Sequence, residues 1–300
     1  MFRSPFRIWP LLVAVLCFPV WSSATLLLHS TLDNMDVGAG AGTDTTQSGG
    51  FEVRDTAGSP THGSARDVLN LGATASAHVT AGASGQIGEA LQFPSSSASN
   101  RGVTYGDVNN IGIGDYTVSL WFNALDTVGT ESLASKGNVG SGDEGWHVFV
   151  ENGMLHTRLG LGGSGALQRA SMSQAGSSAA WHHVAMVVDD STGVLSGYLD
   201  GALMTTAGGG GPSDNLFTPG SNVETTDPLH LGVSGAGSLE FMGSLDDVAI
   251  LDEALSASAI SALYQGGLNG MNAHEILIPE PSSLGLFLLG FLLLARQRAK

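Results

Sequence analysis

From Asp115 to Leu251 the chain is written in period two, apolar and polar residues alternating along short runs that end in residue pairs tolerant of positive φ. Trp146, Val148 and Val150 alternate with His147, Phe149 and Glu151; Asn152-Gly153 then suits a type I′ turn, and the chain returns through Met154 to Leu161. A second hairpin runs from Trp181 to Val188, turns at Asp189-Asp190-Ser191-Thr192-Gly193 and comes back through Val194 to Leu199. Asp200-Gly201 supplies a third turn, so Val184 to Thr205 form an antiparallel meander. Tyr116, Val118, Leu120 and Phe122 share one face of a further strand, with Trp121 on the other. Such a pattern buries one face of each strand and excludes a helical bundle.

Other segments fit the same all-β reading. Thr25 to Leu32 is an apolar strand, and Glu89 to Phe93 is another, preceded by the turn Gly85-Gln86-Ile87-Gly88. Val37 to Asn100 is otherwise rich in Gly, Ala, Ser and Thr and reads as loops with few strands. Leu229 to Gly232 and Phe241 to Leu251 are strands. A helix is expected from Ser256 to Tyr264, with Ser256 as its cap, Leu255 and Ile260 as a hydrophobic staple, and Gly266-Gly267 as its end. Gly208 to Thr226 is a long loop.

The two ends differ in kind from what lies between. Arg3 and Arg7 precede the apolar run Ile8 to Trp21, and Ser22-Ser23-Ala24 offers small residues for cleavage, so residues 1–24 read as a signal peptide. The only cysteine, Cys17, falls in that segment; the mature chain therefore holds no disulfide and no thiolate metal site. At the other end, Pro279-Glu280-Pro281 precedes an apolar run from Leu284 to Ala295 and the basic Arg296, Arg298 and Lys300. That run is shorter than the roughly 20 residues that cross a bilayer comfortably, and its basic end resists translocation. Setting aside Arg3, Arg7, Arg296, Arg298, Lys300 and Glu280 reduces 11 basic and 27 acidic residues to 6 and 26, a mature charge near −20. Nucleic acid and anionic headgroups are repelled by such a balance. Residues 25–275 suit one large domain, with 276–300 as the tail.

The triplet, short hydrophobic helix and basic terminus together resemble the PEP-CTERM sorting signal of Gram-negative bacteria, with Pro279, Glu280, Pro281, Arg296 and Arg298 as the matching residues. That resemblance implies export with signal peptidase, transient anchoring in the inner membrane, and processing by an exosortase to a secreted or cell-surface product. The succession Tyr116 to Phe122, Trp181 to Val187, Gly197 to Gly201 and Leu229 to Gly232 is similar to the laminin-G-like, concanavalin A-like jelly roll. Phe241 to Ile250 followed by Ala254-Leu255-Ser256 and Leu263-Tyr264 extends the likeness, which covers roughly Leu26 to Gly267. Relatives carry Glu three residues into the closing helix where this chain has Ala259, leaving the capping box incomplete. The resemblance implies two stacked antiparallel sheets of about six or seven strands each and a short C-terminal helix.

Glucanases of the same sandwich need carboxylates repeated on one strand face; no such run exists, and adjacent Asp246-Asp247 point to opposite faces of a regular strand. Gly-x-Ser-x-Gly and His-Glu-x-x-His are also missing from the sequence. No catalytic residue is expected. His182 and His183 read as cross-strand surface residues, Trp121, Trp181 and Tyr198 as sheet packing, and Trp146 as a residue near a surface edge. What remains is a binding or structural role, with polysaccharide or a surface protein as partner, and Gly137 to Gly145 and Gly208 to Thr226 as loops suited to choosing a ligand. In jelly rolls of this kind the first and last strands lie side by side, which brings Asp33 or Asn34 near Asp246; an inward carboxylate there needs a partner, either a structural calcium ion held by these three residues or backbone N–H groups or an arginine.

Overall fold

The computed structural model describes residues 24–33, 51–67, 79–93, 101–109, 111–125, 128–137, 144–161, 165–171, 180–204, 216–234 and 239–278. The signal peptide up to residue 23, Asn34 and the tail from Pro279 onward, with Arg296 and Arg298, lie outside them. Among the described residues no helix is long and apolar enough to cross a membrane.

Among the described residues, two antiparallel sheets of eight strands each form a sandwich consistent with a jelly roll. Sheet I contains β1 (Leu26–Ser30), β4 (Thr80–Ser84), β5 (Glu89–Phe93), β7 (Tyr116–Ala124), β12 (His182–Asp189), β13 (Val194–Leu199), β14 (Ala202–Leu203) and β16 (Gly243–Leu251). Sheet II contains β2 (Phe51–Val53), β3 (Gly63–Asp67), β6 (Arg101–Gly106), β8 (Thr130–Lys136), β9 (Glu144–Glu151), β10 (Met154–Leu161), β11 (Gly165–Ser171) and β15 (Leu229–Leu231). Its order is β11-β10-β9-β8-β15-β6-β3-β2. The expected turns are present: Asn152 and Gly153 take φ of 48° and 78°, and Asp200 and Gly201 take 51° and 75°. The Gly- and Ala-rich N-terminal third, read as mostly loop, contributes β2, β3 and β4. Many of its side chains are too small to carry a period-two signal; β2 and β4 pair with the strands that follow them, and β3 is also fixed by β6, which is more distant in sequence.

Between the sheets lies a core in which Tyr116, Val118, Leu120 and Phe122 of β7 meet Val148, Val150, Leu155 and Leu159 of sheet II. Trp146 belongs to this core at 3% exposure, not to a surface edge, because its parity matches that of Val148 and Val150. Phe93 and Phe241 meet edge-on at 5.9 Å, and Gly232 must lack a side chain because a Cβ there would come within 2.2 Å of the Phe93 ring.

A smaller apolar cluster covers the outer face of sheet I. Helix α1 (Ala257–Leu268) buries Ala259, Ile260 and Leu263 against Ala185, Val187, Ala249 and Leu251. Each buried Ile or Leu contributes on the order of 2 kcal/mol. Ser256 caps the helix by accepting from the Ala259 N–H at 3.3 Å. The helix does not stop at Gly266-Gly267; both glycines lie inside it, Gly266 against Ile276 and Gly267 against the Trp121 ring. Their role is close approach. Asn269 provides the C-cap, and a second helix, α2 (Ala273–Leu277), follows with the Asn272 and Glu275 capping box that α1 lacks. Trp121, stacked on Tyr264 at 5.6 Å, and His183, 5.2 Å from Trp121, lie under α1. His183 is therefore buried at 1% exposure, while His182 keeps the half-exposed position expected of it.

Candidate functional site

Two places in the sandwich carry more polar chemistry than packing requires. The first lies where β1 and β5 abut the same edge of β16. Residues 243–245 of β16 pair with β5, and residues 248–251 pair with β1. Between them the register against β7 shifts, and Asp247 takes a φ of 45°. This irregularity corrects the expectation that one of the two aspartates faces outward: Asp246 and Asp247 are both buried, at 0% and 4% exposure. Asp247 accepts from Ala273 N–H at 2.9 Å, at the start of α2, and lies 2.8 Å from His29 Nε2. That arrangement ties the first strand and the last helix to the bulge.

Asp246 turns to the loop before β5. Its Oδ2 accepts from the Ile87 N–H at 2.8 Å, while Oδ1 is buried with no hydrogen-bond partner. Burial pushes its carboxyl up to about 8; the nearby carboxylates of Asp247 and Asp33 act in the same direction, and the Ile87 and Gln86 N–H groups oppose them. Asp33 accepts from the Glu89 N–H at 2.7 Å and thus flanks the same loop. No group of three His, Cys, Asp or Glu poised for a metal occurs among the described residues. Asp33 and Asp246 thus offer carboxylate oxygens, the donor type a hard cation such as calcium takes.

The second place is the outer face of sheet II. Register links Arg158 of β10 to His147 of β9, His147 to Ser135 of β8, Ser135 to His230 of β15, His230 to Thr104 of β6, and Thr104 to Ser64 of β3. The row is polar across six strands and runs roughly 24 Å at the usual strand spacing of about 4.8 Å. The alternate residues Val103, Ala134, Val148 and Leu159 point into the core. Beside this row, His156 pairs with Phe149 and Phe149 with Ser132. Phe149 stacks on His156 at 4.7 Å and 7°, and on its other side lies 4.6 Å from the His147 ring.

These groups are set deep. His147, His156 and His230 are 5%, 3% and 4% exposed, and the Ser64 hydroxyl is buried without a hydrogen-bond partner. His147 Nε2 lies 2.8 Å from Ser132 Oγ. Burial, then the positive Arg158 and His156 nearby, push the His147 imidazole down to about 3, so it is neutral at ordinary pH. Hydroxyls and imidazoles around a stacked aromatic can donate to and accept from a polyhydroxylated ligand.

This row escaped the sequence reading, which placed ligand choice in the loops. Part of it was within reach, because the Asn152-Gly153 turn fixes His147 opposite Arg158. The remaining four members come from strands whose order is set only by folding. Of the two ligand loops, residues 138–143 and 205–215 lie outside the described residues. Trp121 and Tyr198 are buried, and Trp181 is half-buried immediately before β12.

Comparison with known proteins follows the fold. Residues 97–261 match the family model described as the concanavalin A-like lectin/glucanases superfamily. No curated protein matches in sequence. Among solved structures, the botulinum neurotoxin serotype D binding domain aligns at 16% identity with a TM-score of 0.54, covering 81% of this chain and 51% of that one. A structure from work on botulinum neurotoxin type C, whose cell entry depends on two ganglioside molecules, aligns at 13% identity and a TM-score of 0.55, with coverages of 81% and 51%. The carbohydrate-binding module CBM40 of the Ruminococcus gnavus IT-sialidase, bound to α2,3 sialyllactose, aligns more loosely, at 19% identity and a TM-score of 0.41 over 51% of this chain and 84% of that one. The chain spans about half the length of the two neurotoxin structures, and at these identities the likeness is one of fold. The family match covers more than half of the chain and runs from β6 to the start of α1, and so the chain belongs to the laminin-G-like group of the concanavalin A-like lectin/glucanase superfamily.

Proposed function

We propose that this is an exported, non-catalytic carbohydrate-binding protein of the cell surface or extracellular matrix, which contacts polysaccharide through the outer face of sheet II. The observation that carries the reading is the polar row Arg158, His147, Ser135, His230, Thr104 and Ser64 beside the Phe149–His156 stack. It is a continuous band of donors and acceptors beside a stacked aromatic cluster, built on strands and not on loops. The sequence carries no Glu-x-Asp-x-x-Glu run of the kind that glucanases of this sandwich use, which supports binding without hydrolysis.

A glycan array and polysaccharide pull-downs with the purified protein test this, with calcium present. Binding to a defined set of glycans, reduced by Phe149→Ala, is the expected result. A flat response to every glycan favours a structural surface protein with no specific ligand.

Two further parts belong to the same reading. Asp33 and Asp246 would hold a structural calcium ion; the orphaned, buried Oδ1 of Asp246 supports this. The ion would neutralise that carboxylate and fix the junction of β1, β5 and β16. Pro279-Glu280-Pro281, the apolar run and Arg296 and Arg298 act as a sorting signal, with exosortase and signal peptidase as processing partners and the inner membrane as a transient anchor.

A further inference from the structure

The corner formed by α1 and α2 differs from the rest of the domain in its charge and in what it leaves exposed. From Ala254 to Ala273 the chain has no charged side chain, although the mature balance is near −20. α2 folds back on the last turn of α1 because Gly266 leaves room for it; a Cβ there would collide with the Ile276 side chain. The Asn269 and Met271 N–H groups close the turn between the helices, donating to the Gly266 carbonyl at 2.9 and 3.0 Å. Three large apolar side chains are left outside on this corner, Leu268, Met271 and Ile278, at 48%, 42% and 41% exposure. Met271 and Ile278 flank the five residues of α2, about 8 Å of helix, and so stay close together. A single exposed Leu or Ile needs no explanation. These three stand where the chain leaves the described domain.

What can cover them is bounded by the length of chain that follows. A segment that crosses lipid is helical, because each backbone group must be satisfied internally. Pro281 to Ala295, 15 residues, would rise about 22 Å as a helix, against a hydrocarbon core about 30 Å thick. With Arg296 and Arg298 held at the inner interface, Pro281 falls about 8 Å short of the outer edge. Only three residue steps separate it from Ile278, at most about 10 Å of extended chain. Ile278 is therefore held within about 3 Å of the hydrocarbon, and within about 10 Å even where the bilayer thins to meet the short run.

We infer that the α1–α2 corner is a membrane-docking surface: while the apolar run spans the bilayer, Leu268, Met271 and Ile278 rest in the boundary between headgroups and acyl chains of a zwitterionic leaflet. The inference rests on the sorting-signal reading above and adds to it how the domain is held before processing. Interfacial elements bury their apolar side chains about 5–10 Å into this boundary, a depth that so short a tether imposes. An uncharged corner is also the part of an acidic protein that meets phosphate-bearing headgroups with least repulsion. Glu275, the carboxylate of α2, is turned back onto the Asn272 N–H at 3.0 Å. Orientation follows from the layers. α1 packs on the outer face of sheet I, so the sandwich itself stands between the corner and the polar row of sheet II, and the proposed glycan face stays clear of the lipid.

The test uses the full chain, exported in a host without exosortase so that the tail is kept, and reconstituted in phosphatidylcholine vesicles with brominated acyl chains. Cys17→Ser removes the native thiol, and a fluorescent label is placed on one new cysteine at a time: Met271→Cys, Ile278→Cys, Leu289→Cys within the apolar run, or Glu144→Cys on sheet II. Bromolipid is expected to quench the labels at 271 and 278 about threefold or more over that at 144, with 289 quenched most. Adding Leu268→Asp should reduce quenching at 271 by about half or more, because a charge in the boundary lifts the corner away. Should either corner variant prove misfolded by circular dichroism, Leu268→Cys takes its place. Quenching at 289 without quenching at both corner positions, or equal quenching at 144, overturns the docking surface and leaves the sorting reading intact. No quenching at 289 overturns the insertion, and the docking with it.

Discussion

At the scale of single residues, buried titratable groups decide how this protein responds to its solution. Burial pushes His183 down to about 4, opposed by Asp200, and His147 down to about 3. In the unfolded chain both return to about 6.5. The unfolded state therefore takes up protons first, so the stability these side chains confer is complete above pH 6.5 and is lost as pH falls towards 4 and then 3. Each contributes a slope of up to about 1.4 kcal/mol per pH unit in that window. Urea unfolding at a series of pH values should show it, and His147→Gln should flatten the wild-type slope by that amount. Unchanged slopes in the variant would mean that His147 is hydrated in solution. Asp246 gives a second, separable prediction. If an ion neutralises its orphaned oxygen, melting temperature rises with calcium and falls with chelator. Asp246→Ala should abolish that dependence, and a wild-type melting curve indifferent to calcium ends the proposal of a bound ion.

Among the elements, α1 is the one whose seating depends most narrowly on side-chain size. Gly267 lies inside it, and an added Cβ would come within 2.5 Å of the Trp121 ring. Helix propensity favours Gly267→Ala by about 1 kcal/mol. Overpacking against a rigid indole costs about 1–3 kcal/mol, so the clash wins. The variant should melt lower and show altered Trp fluorescence, because Trp121 must leave its stack on Tyr264; a stabilised variant would show that the helix slides freely. The β9–β10 turn is a second point of this kind. Gly153→Ala, at φ 78°, should cost about 1 kcal/mol without changing the fold.

For the whole molecule, the two ends of the folded domain emerge from neighbouring structure. β1, which begins two residues after Ala24, pairs with β16, and α2, which ends two residues before Pro279, is fastened through Ala273 N–H to Asp247, itself bonded to His29 of β1. A folded domain thus presents its ends from a common base. Replacing Pro279-Glu280-Pro281 with alanines is expected to leave a full-length species in the inner membrane while the wild-type product is shorter and reaches the surface. Equal release of both would refute the sorting signal. Mass spectrometry of the secreted form should give Thr25, or a residue close to it, as its first residue.

The sequence by itself determined the local grammar. Period-two runs ended by Asn152-Gly153 and Asp200-Gly201 specify antiparallel hairpins because a one-residue slip would turn every core side chain outward. Ser256 specifies the start of α1 for a similarly local reason. What spans strands distant in sequence was decided only by tertiary structure. The end of α1 was misjudged because the chemistry of Gly266 and Gly267 allows either a stop or a close contact, and only Ile276 and Trp121 select the contact. The burial of both Asp246 and Asp247 required the β16 bulge, which arises where β5 and β1 share one edge. The polar row of sheet II takes one residue from each of six strands, from Ser64 of β3 to His230 of β15 in chain order. No local pattern records it, because hydrogen-bond register between distant strands exists only once the sheet has closed around its core.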